Sequence, residues 1–316
     1  MKLFRTEIIP KQIFSEKINW QNSFTSLGSC FADKVAQELK SKGIKICSNP
    51  TGVLYNPQSI ADLIQNSLDL KEWTKSDCID KQGVNILPYI QGEHPKPIDF
   101  IHQCQGDLHS HLETDQVLII TFGTAWAYHL RENDQVVANC HKLPKELFER
   151  RILSVNDISC SWSNLINQLS EANPKLQILF TVSPVRHLRD DFRENQISKS
   201  TLHLAIDEII KTKENCFYFP SYEIMMDELR DYRFYSTDMT HPSDEATELI
   251  MDKFISSAFD DNSHKYFIEA TKIKKLCSHK IHNPQSHENQ KFIKIRNEKL
   301  LNFKKRYPSS SLTVDV

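Results

Sequence analysis

Two stretches of this chain leave little choice of fold: Val117-Leu-Ile-Ile-Thr-Phe122 and Leu176-Gln-Ile-Leu-Phe-Thr-Val182. Each is shorter than an ordinary helix and apolar at nearly every position, which is the pattern of a strand buried on both faces. Such strands belong to parallel sheets, whose crossover helices cover both sides. Three weaker runs join them: residues 24–27, which end at Gly28, residues 44–47, and residues 216–219. Helical periodicity fills the gaps. Phe31, Val35 and Leu39 are spaced four apart after the first run. Asn56-Pro57 presents an N-cap followed by proline at the first helical position, ahead of Ile60, Leu63 and Ile64. Residues 158–170, 196–212 and 243–257 repeat the helical pattern. This alternation predicts an α/β fold, a three-layer α/β/α sandwich with a mostly parallel five-stranded sheet.

A chain of 316 residues can bury one sizeable core with room for an accessory lobe. The expected division is a catalytic domain over residues 1–260, with an insertion at about 69–115, and a basic, helical or disordered tail over 261–316. The insertion is polar and holds His102, His109 and His111, but nothing fixes these side chains over a site. The formal charge of −2 offers no global field for nucleic acid, and no nucleic-acid partner is expected. An adaptor role through 263–307 would rest on local charge alone. No apolar run is long enough to span a bilayer, and the first residues lack a signal peptide's apolar stretch, so the expected location is cytoplasmic. The 8 cysteines are scattered with no Cys-x-x-Cys, which argues against a disulfide framework and a zinc site. The segment 279–282, with His279 and His282, is the nearest approach to paired metal ligands and reads as solvated surface. No metal or organic cofactor is expected.

Two segments carry chemistry. Asp238-Met-Thr-His241-Pro242-Ser243 precedes an apolar-periodic helix. An aspartate three residues before a histidine on a loop can reach the imidazole, fix its tautomer and free the other ring nitrogen as a general base. Ser243 suits the N-cap, with Asp244 and Glu245 in the first turn. The bland alternative makes Asp238 a cap and His241 a surface residue. The second segment, Leu27-Gly28-Ser29-Cys30-Phe31-Ala32, ends the first strand. A nucleophile belongs on such a strand-to-helix turn, where glycine permits the bend and the helix N-terminus favours an anion. For Cys30 that position would lower the thiol pKa. The bland alternative is a buried small cysteine beside a capping serine.

Gly28-Ser-Cys-Phe-Ala32 resembles the signature of the GSCFA-domain family, within the SGNH/GDSL hydrolase superfamily. The resemblance continues through Asn49-Pro-Thr-Gly-Val-Leu-Tyr-Asn-Pro57, Thr121-Phe-Gly-Thr-Ala-Trp126, Val137-Ala-Asn-Cys-His-Lys142, Ser183-Pro-Val-Arg-His187, the segment 222–230 and the Asp238-x-x-His241 pair. It implies a triad in which Asp238 and His241 serve a nucleophile at Cys30 or Ser29. Spacing and strand-to-turn register favour Cys30, while residue type alone favours Ser29. It also implies an oxyanion hole that uses the nucleophile's N–H and that of Gly52. The superfamily's third donor, an Asn after the third strand, is missing from Gly123-Thr124-Ala125. Asn139 is the first-ranked replacement, ahead of Trp126 and His141. Arg186, after the fourth strand, is a candidate for an anionic substrate group or for a surface salt bridge. Tyr222, Met225 and Met226 read as packing. The implied activity is an esterase or O-acyltransferase acting on a small acyl ester, with a carbohydrate or glycoconjugate as a candidate carrier. The competing reading is a non-catalytic ligand-binding module that keeps the cleft.

Overall fold

The structure, a computed structural model, describes residues 6–187, 189–279 and 285–313; positions 280–282 of the His279–His282 run lie outside the described residues. In chain order the elements are β1 (Ser23–Gly28), α1 (Cys30–Ser41), β2 (Lys45–Ser48), α2 (Pro57–Leu68), β3 (Ile79–Lys81), β4 (Val84–Ile86), α3 (Pro97–Thr114), β5 (Val117–Phe122), β6 (Trp126–Leu130), β7 (Val136–Val137), β8 (Phe148–Ile152) and α4 (Val155–Ala172). They continue with β9 (Gln177–Val182), α5 (Phe192–Thr212), β10 (Cys216–Tyr218), α6 (Ser221–Glu223), α7 (Asp244–Ala258), α8 (Asp261–Cys277) and α9 (His287–Arg306).

The main sheet has five strands in the order β10-β9-β5-β1-β2, and every pair in it is parallel. Strand alternation divides β5 between two cores. Leu118, Ile120 and Phe122 face one core, where α2, α3, α4 and α5 pack with Ile64, Leu108, Trp162 and Leu202. Val117 and Ile119 face the other, with Phe31 of α1, Phe254 of α7 and Tyr266 of α8. The chain is thus a three-layer α/β/α sandwich, and the five strands fall where the apolar runs predict.

Local chemistry sets the helix starts. The Asn56 side chain accepts from the Ser59 N–H at 2.8 Å ahead of Pro57. Ser154 and Asp157 form a capping box on α4.

Three regions add detail that the apolar runs do not carry. A small antiparallel sheet, β7-β6-β8, lies between β5 and α4. Within 69–115, β3 and β4 form a hairpin, and residues 97–114 are α3, packed through Ile101, Leu108 and Leu112. His102 and His109 tie α3 to the end of α2 and the loop after it: His102 Nε2 accepts from the Trp73 N–H at 3.0 Å, and His109 Nδ1 lies 3.0 Å from the Ser67 carbonyl. After residue 260, α8 and α9 bury Tyr266, Phe267, Ile273, Leu300 and Phe303 against the second core. No helix among the described residues is long and apolar enough to cross a membrane.

The strand order fixes where a site belongs. From β1 the chain crosses to β2 on one side, and from β5 it proceeds to β9 on the other. The carboxyl ends of β1 and β5 therefore flank the topological switch point, where open α/β sheets leave a crevice.

Candidate active site

Gly28 ends β1 at that crevice with φ +137°. A Cβ there would lie 2.2 Å from the Thr121 carbonyl oxygen on the neighbouring strand, so only glycine fits. The turn is tied by the Gly28 N–H donating to Asn49 Oδ1 at 2.8 Å and the Ser29 N–H donating to the Thr121 carbonyl at 3.1 Å. Ser29 is buried, and its hydroxyl caps α1 by accepting from the Phe31 N–H at 3.3 Å. Cys30 is the first residue of α1 and is half-buried.

The opposite wall is the loop before α7. Ser243 caps that helix by accepting from the Ala246 N–H at 3.2 Å, which leaves Asp238 free of the capping role. Met239 takes a left-handed φ of 58°, and this folds the loop so that Asp238 Oδ1 accepts from the N–H groups of Thr240 (2.9 Å) and His241 (3.0 Å). The second carboxylate oxygen, Oδ2, lies 2.6 Å from His241 Nδ1. On the far side of the ring, Nε2 lies 3.4 Å from Cys30 Sγ. The three side chains stand in line. The backbone N–H donors of His241 and Thr240, and then the imidazole, hold Asp238 well below the usual carboxylate range.

The thiol departs from expectation. Burial pushes the Cys30 thiol up, nearby Asp33 adds to the rise, and Lys199 and the α1 amides oppose it. Asp33 is fixed there because its Oδ1 accepts from Ser48 Oγ at 2.7 Å and Asn49 Nδ2 at 2.8 Å. The helix N-terminus therefore does not, on balance, lower the Cys30 thiol.

The other sequence candidates are dispersed. The Gly52 N–H donates to the Asn49 carbonyl at 2.8 Å, and those of Gly123 and Thr124 both donate to the Tyr55 carbonyl, at 2.8 and 2.9 Å. All three are committed inside the protein. Asn139 Nδ2 donates to Gln91 Oε1 at 3.2 Å, and His141 is buried on the β3–β4 side, where Lys81 Nζ donates to its carbonyl at 2.9 Å. Tyr222 and Met225 are buried in packing, and Arg186 Nη1 lies 3.9 Å from the Met226 sulfur.

A cavity of about 260 Å³ is lined by Tyr55, Trp126, Tyr128, Asn139, Arg150 and His187 among others, and of these Tyr55 lies within electrostatic reach of Cys30 and His187 within that of His241. The Arg150 guanidinium lies 4.3 Å from the Trp126 ring centre and pairs with Asp190 at 2.7 Å. Burial, reinforced by Lys199, lowers His187 to about 4, so this side chain is neutral near pH 7. Sequence reasoning missed Lys199, a buried lysine behind the turn from β1 to α1. The signal was available: Lys199 stands three and seven residues before Leu202 and Ile206, in the inward stripe of α5. Among the described residues, no three His, Cys, Asp or Glu side chains converge as a metal site would require.

The sequence matches the GSCFA family over residues 23–254. No curated protein matches it. Among solved structures, it is similar to a putative platelet activating factor from Streptococcus pneumonia, at 12% identity and a TM-score of 0.40, with 75% of this chain and 84% of that one covered. It is also similar to a catalytic mutant of an acetylxylan esterase from Geobacillus stearothermophilus, at 11% identity and a TM-score of 0.37 over 78% and 98% of the two chains. An acetyl xylan esterase from the rumen bacterium Butyrivibrio proteoclasticus shares 13% identity at a TM-score of 0.39, over 80% and 65%.

Proposed function

The chain belongs to the GSCFA family, and from that premise and its own site geometry we propose that it is an esterase or O-acyltransferase with Cys30 as nucleophile, His241 as base and Asp238 as orienting carboxylate. The alignment of Cys30 Sγ, His241 and Asp238 at 3.4 and 2.6 Å carries the reading. Asp238 accepts from Nδ1–H, so Nε2 is free to receive the thiol proton. The sulfur then attacks the acyl carbonyl, and the imidazolium returns that proton to the departing alcohol. The thioester left on Cys30 is opened by water, or by an acceptor alcohol, whose proton His241 takes in turn. The Cys30 N–H heads α1 and has no intrahelical acceptor, so it is available to the oxyanion together with the helix N-terminus.

The cavity that Tyr55 and His187 border supports a carbohydrate or glycoconjugate carrier of a small acyl group. Its aromatic rings, the Asn139 amide and Arg150 offer stacking faces and fixed polar groups suited to a polyhydroxylated leaving group. Hydrolysis of 4-nitrophenyl acetate and of acetylated oligosaccharides tests the reading, with peptide mass spectrometry seeking the acyl group on Cys30. Turnover that survives His241→Ala within a few-fold would refute it.

One observation favours a second reading, a binding module that keeps the cleft. The N–H groups of Gly52 and Gly123, the expected partners of the Cys30 amide, are engaged elsewhere, as is that of Thr124. Removal of one oxyanion donor lowers rates by roughly 100–1,000-fold in other enzymes. Failure of an acyl-directed covalent probe to label Cys30, together with binding of an acetylated oligosaccharide, would select this second reading.

A further inference from the structure

Helix α5 buries a lysine in its apolar stripe. Ser198, Lys199, Leu202, Ala205, Ile206 and Ile209 recur at three- and four-residue spacing and all but Ser198 and Lys199 are apolar. Lys199 is 0% exposed. Its ammonium donates to the Gly123 carbonyl and the Ser183 carbonyl, each at 2.7 Å, and these residues directly follow β5 and β9. Among the described residues no carboxylate forms an ion pair with it. The charged groups acting on it are Arg186, from the segment after β9, and Cys30, from α1. His187 and His203 lie within its electrostatic reach, and the Tyr222 ring centre is 5.7 Å away. Enclosing an unpaired ammonium is unfavourable, and burial with Arg186 lowers Lys199, while the two carbonyl acceptors at 2.7 Å hold its protonated form.

Its neighbour grips the same loop. Ser198 Oγ accepts from the Ala125 N–H at 2.8 Å and lies 3.0 Å from Thr124 Oγ1. Consecutive residues of α5 thus hold Gly123, Thr124 and Ala125. That loop abuts the nucleophile turn, since a Cβ on Gly123 would lie 3.2 Å from Ser29 Cβ. Without the ammonium, two strand-end carbonyls would turn their negative ends toward space beside a sulfur that becomes negative.

We propose that Lys199 is a positioning residue for Cys30: it fixes the Gly123–Ala125 loop behind the nucleophile and supplies the positive charge that favours the thiolate. The inference rests on the reading of Cys30 as nucleophile. The proton passes from Cys30 Sγ to His241 Nε2, and Lys199 keeps its own throughout. By linkage, a negative sulfur makes Lys199 hold that proton more tightly.

The test follows the pH dependence of Cys30 alkylation by iodoacetamide, read by peptide mass spectrometry, in the wild type, Lys199→Gln and Lys199→Met. Glutamine keeps a donor and removes the charge, while methionine removes both. The alkylation midpoint should move up by about one pH unit in both folded variants, with alkylation below the midpoint slower by roughly tenfold. A folded Lys199→Gln protein with the wild-type midpoint overturns the proposal. Should neither variant fold, the Lys199 ε-carbon is titrated by NMR in the wild type and in Cys30→Ala. Its midpoint should fall when the sulfur is removed, and an unmoved midpoint overturns the proposal equally. Neither arm uses an ester, so a catalytically silent protein would still reveal the coupling, and an active one without it would refute this inference alone.

Discussion

Replacing Gly28 by alanine separates backbone strain from steric exclusion at the turn from β1 to α1. The new Cβ would meet the Thr121 carbonyl oxygen at 2.2 Å, the Thr121 carbonyl carbon at 2.9 Å and its nitrogen at 3.0 Å. All three are backbone atoms of a central strand and cannot rotate away. The φ of +137° adds strain of about 1–3 kcal/mol, and the overlap adds about 1–3 kcal/mol. Prising β1 from β5 also weakens the Ser29 N–H bond to Thr121, for about 1 kcal/mol more. The sum, roughly 3–7 kcal/mol, is a large part of the 5–15 kcal/mol typical of a domain. Gly83 is the control: its φ of +85° is also left-handed, but a Cβ there meets nothing within 4 Å, so Gly83→Ala should lose only about 1 kcal/mol. Urea unfolding followed by tryptophan fluorescence measures both. Equal losses in the two variants, or a loss below 1 kcal/mol in Gly28→Ala, would refute the steric argument.

Other outcomes follow from the same geometry. Asp238→Asn should leave the unfolding midpoint unchanged and lower ester turnover by roughly 100-fold or more, because the imidazole loses its orienting acceptor; unchanged kinetics would reduce Asp238 to a loop-shaping residue. Ser243→Ala should destabilise the protein by about 1 kcal/mol through the lost cap of α7, measured by the same unfolding assay. His187 is lowered to about 4, below its unfolded value near 6.5. The unfolded chain therefore takes up this proton first, and stability contributed by neutral His187 is lost as pH falls from about 6.5 to 4. His187→Gln should flatten the slope of stability against pH over that window, and an unchanged slope would place His187 in contact with solvent.

The parts of the fold legible in sequence were those written in side chains. The run from Val117 to Phe122 identified a strand covered on both faces because each of its residues is buried. Gly28, Asn56 and Ser243 announced turns and caps because few residue types satisfy those backbone demands. The small β6–β8 sheet gave no such signal: Tyr128, His129, Arg150 and Arg151 are only partly buried, and β7 has two residues. The candidate oxyanion donors were less legible still, since any residue carries an N–H and only the fold shows that those of Gly52 and Gly123 are engaged. The thiol was misjudged because helix position is visible in sequence, whereas burial and the proximity of Asp33 are tertiary. Lys199 was overlooked because a lysine in a helical stripe ordinarily reads as solvated surface.

The central claim is that Cys30 carries the chemistry while the adjacent Ser29 caps the helix. Turnover of 4-nitrophenyl acetate by Cys30→Ala and Ser29→Ala, each first shown to be folded, tests it most directly. Cys30→Ala should be inactive, and Ser29→Ala, with its cap lost for about 1 kcal/mol of stability, should keep most of its turnover. An inactive Ser29→Ala beside an active Cys30→Ala would give the nucleophile's role to Ser29 and contradict the account.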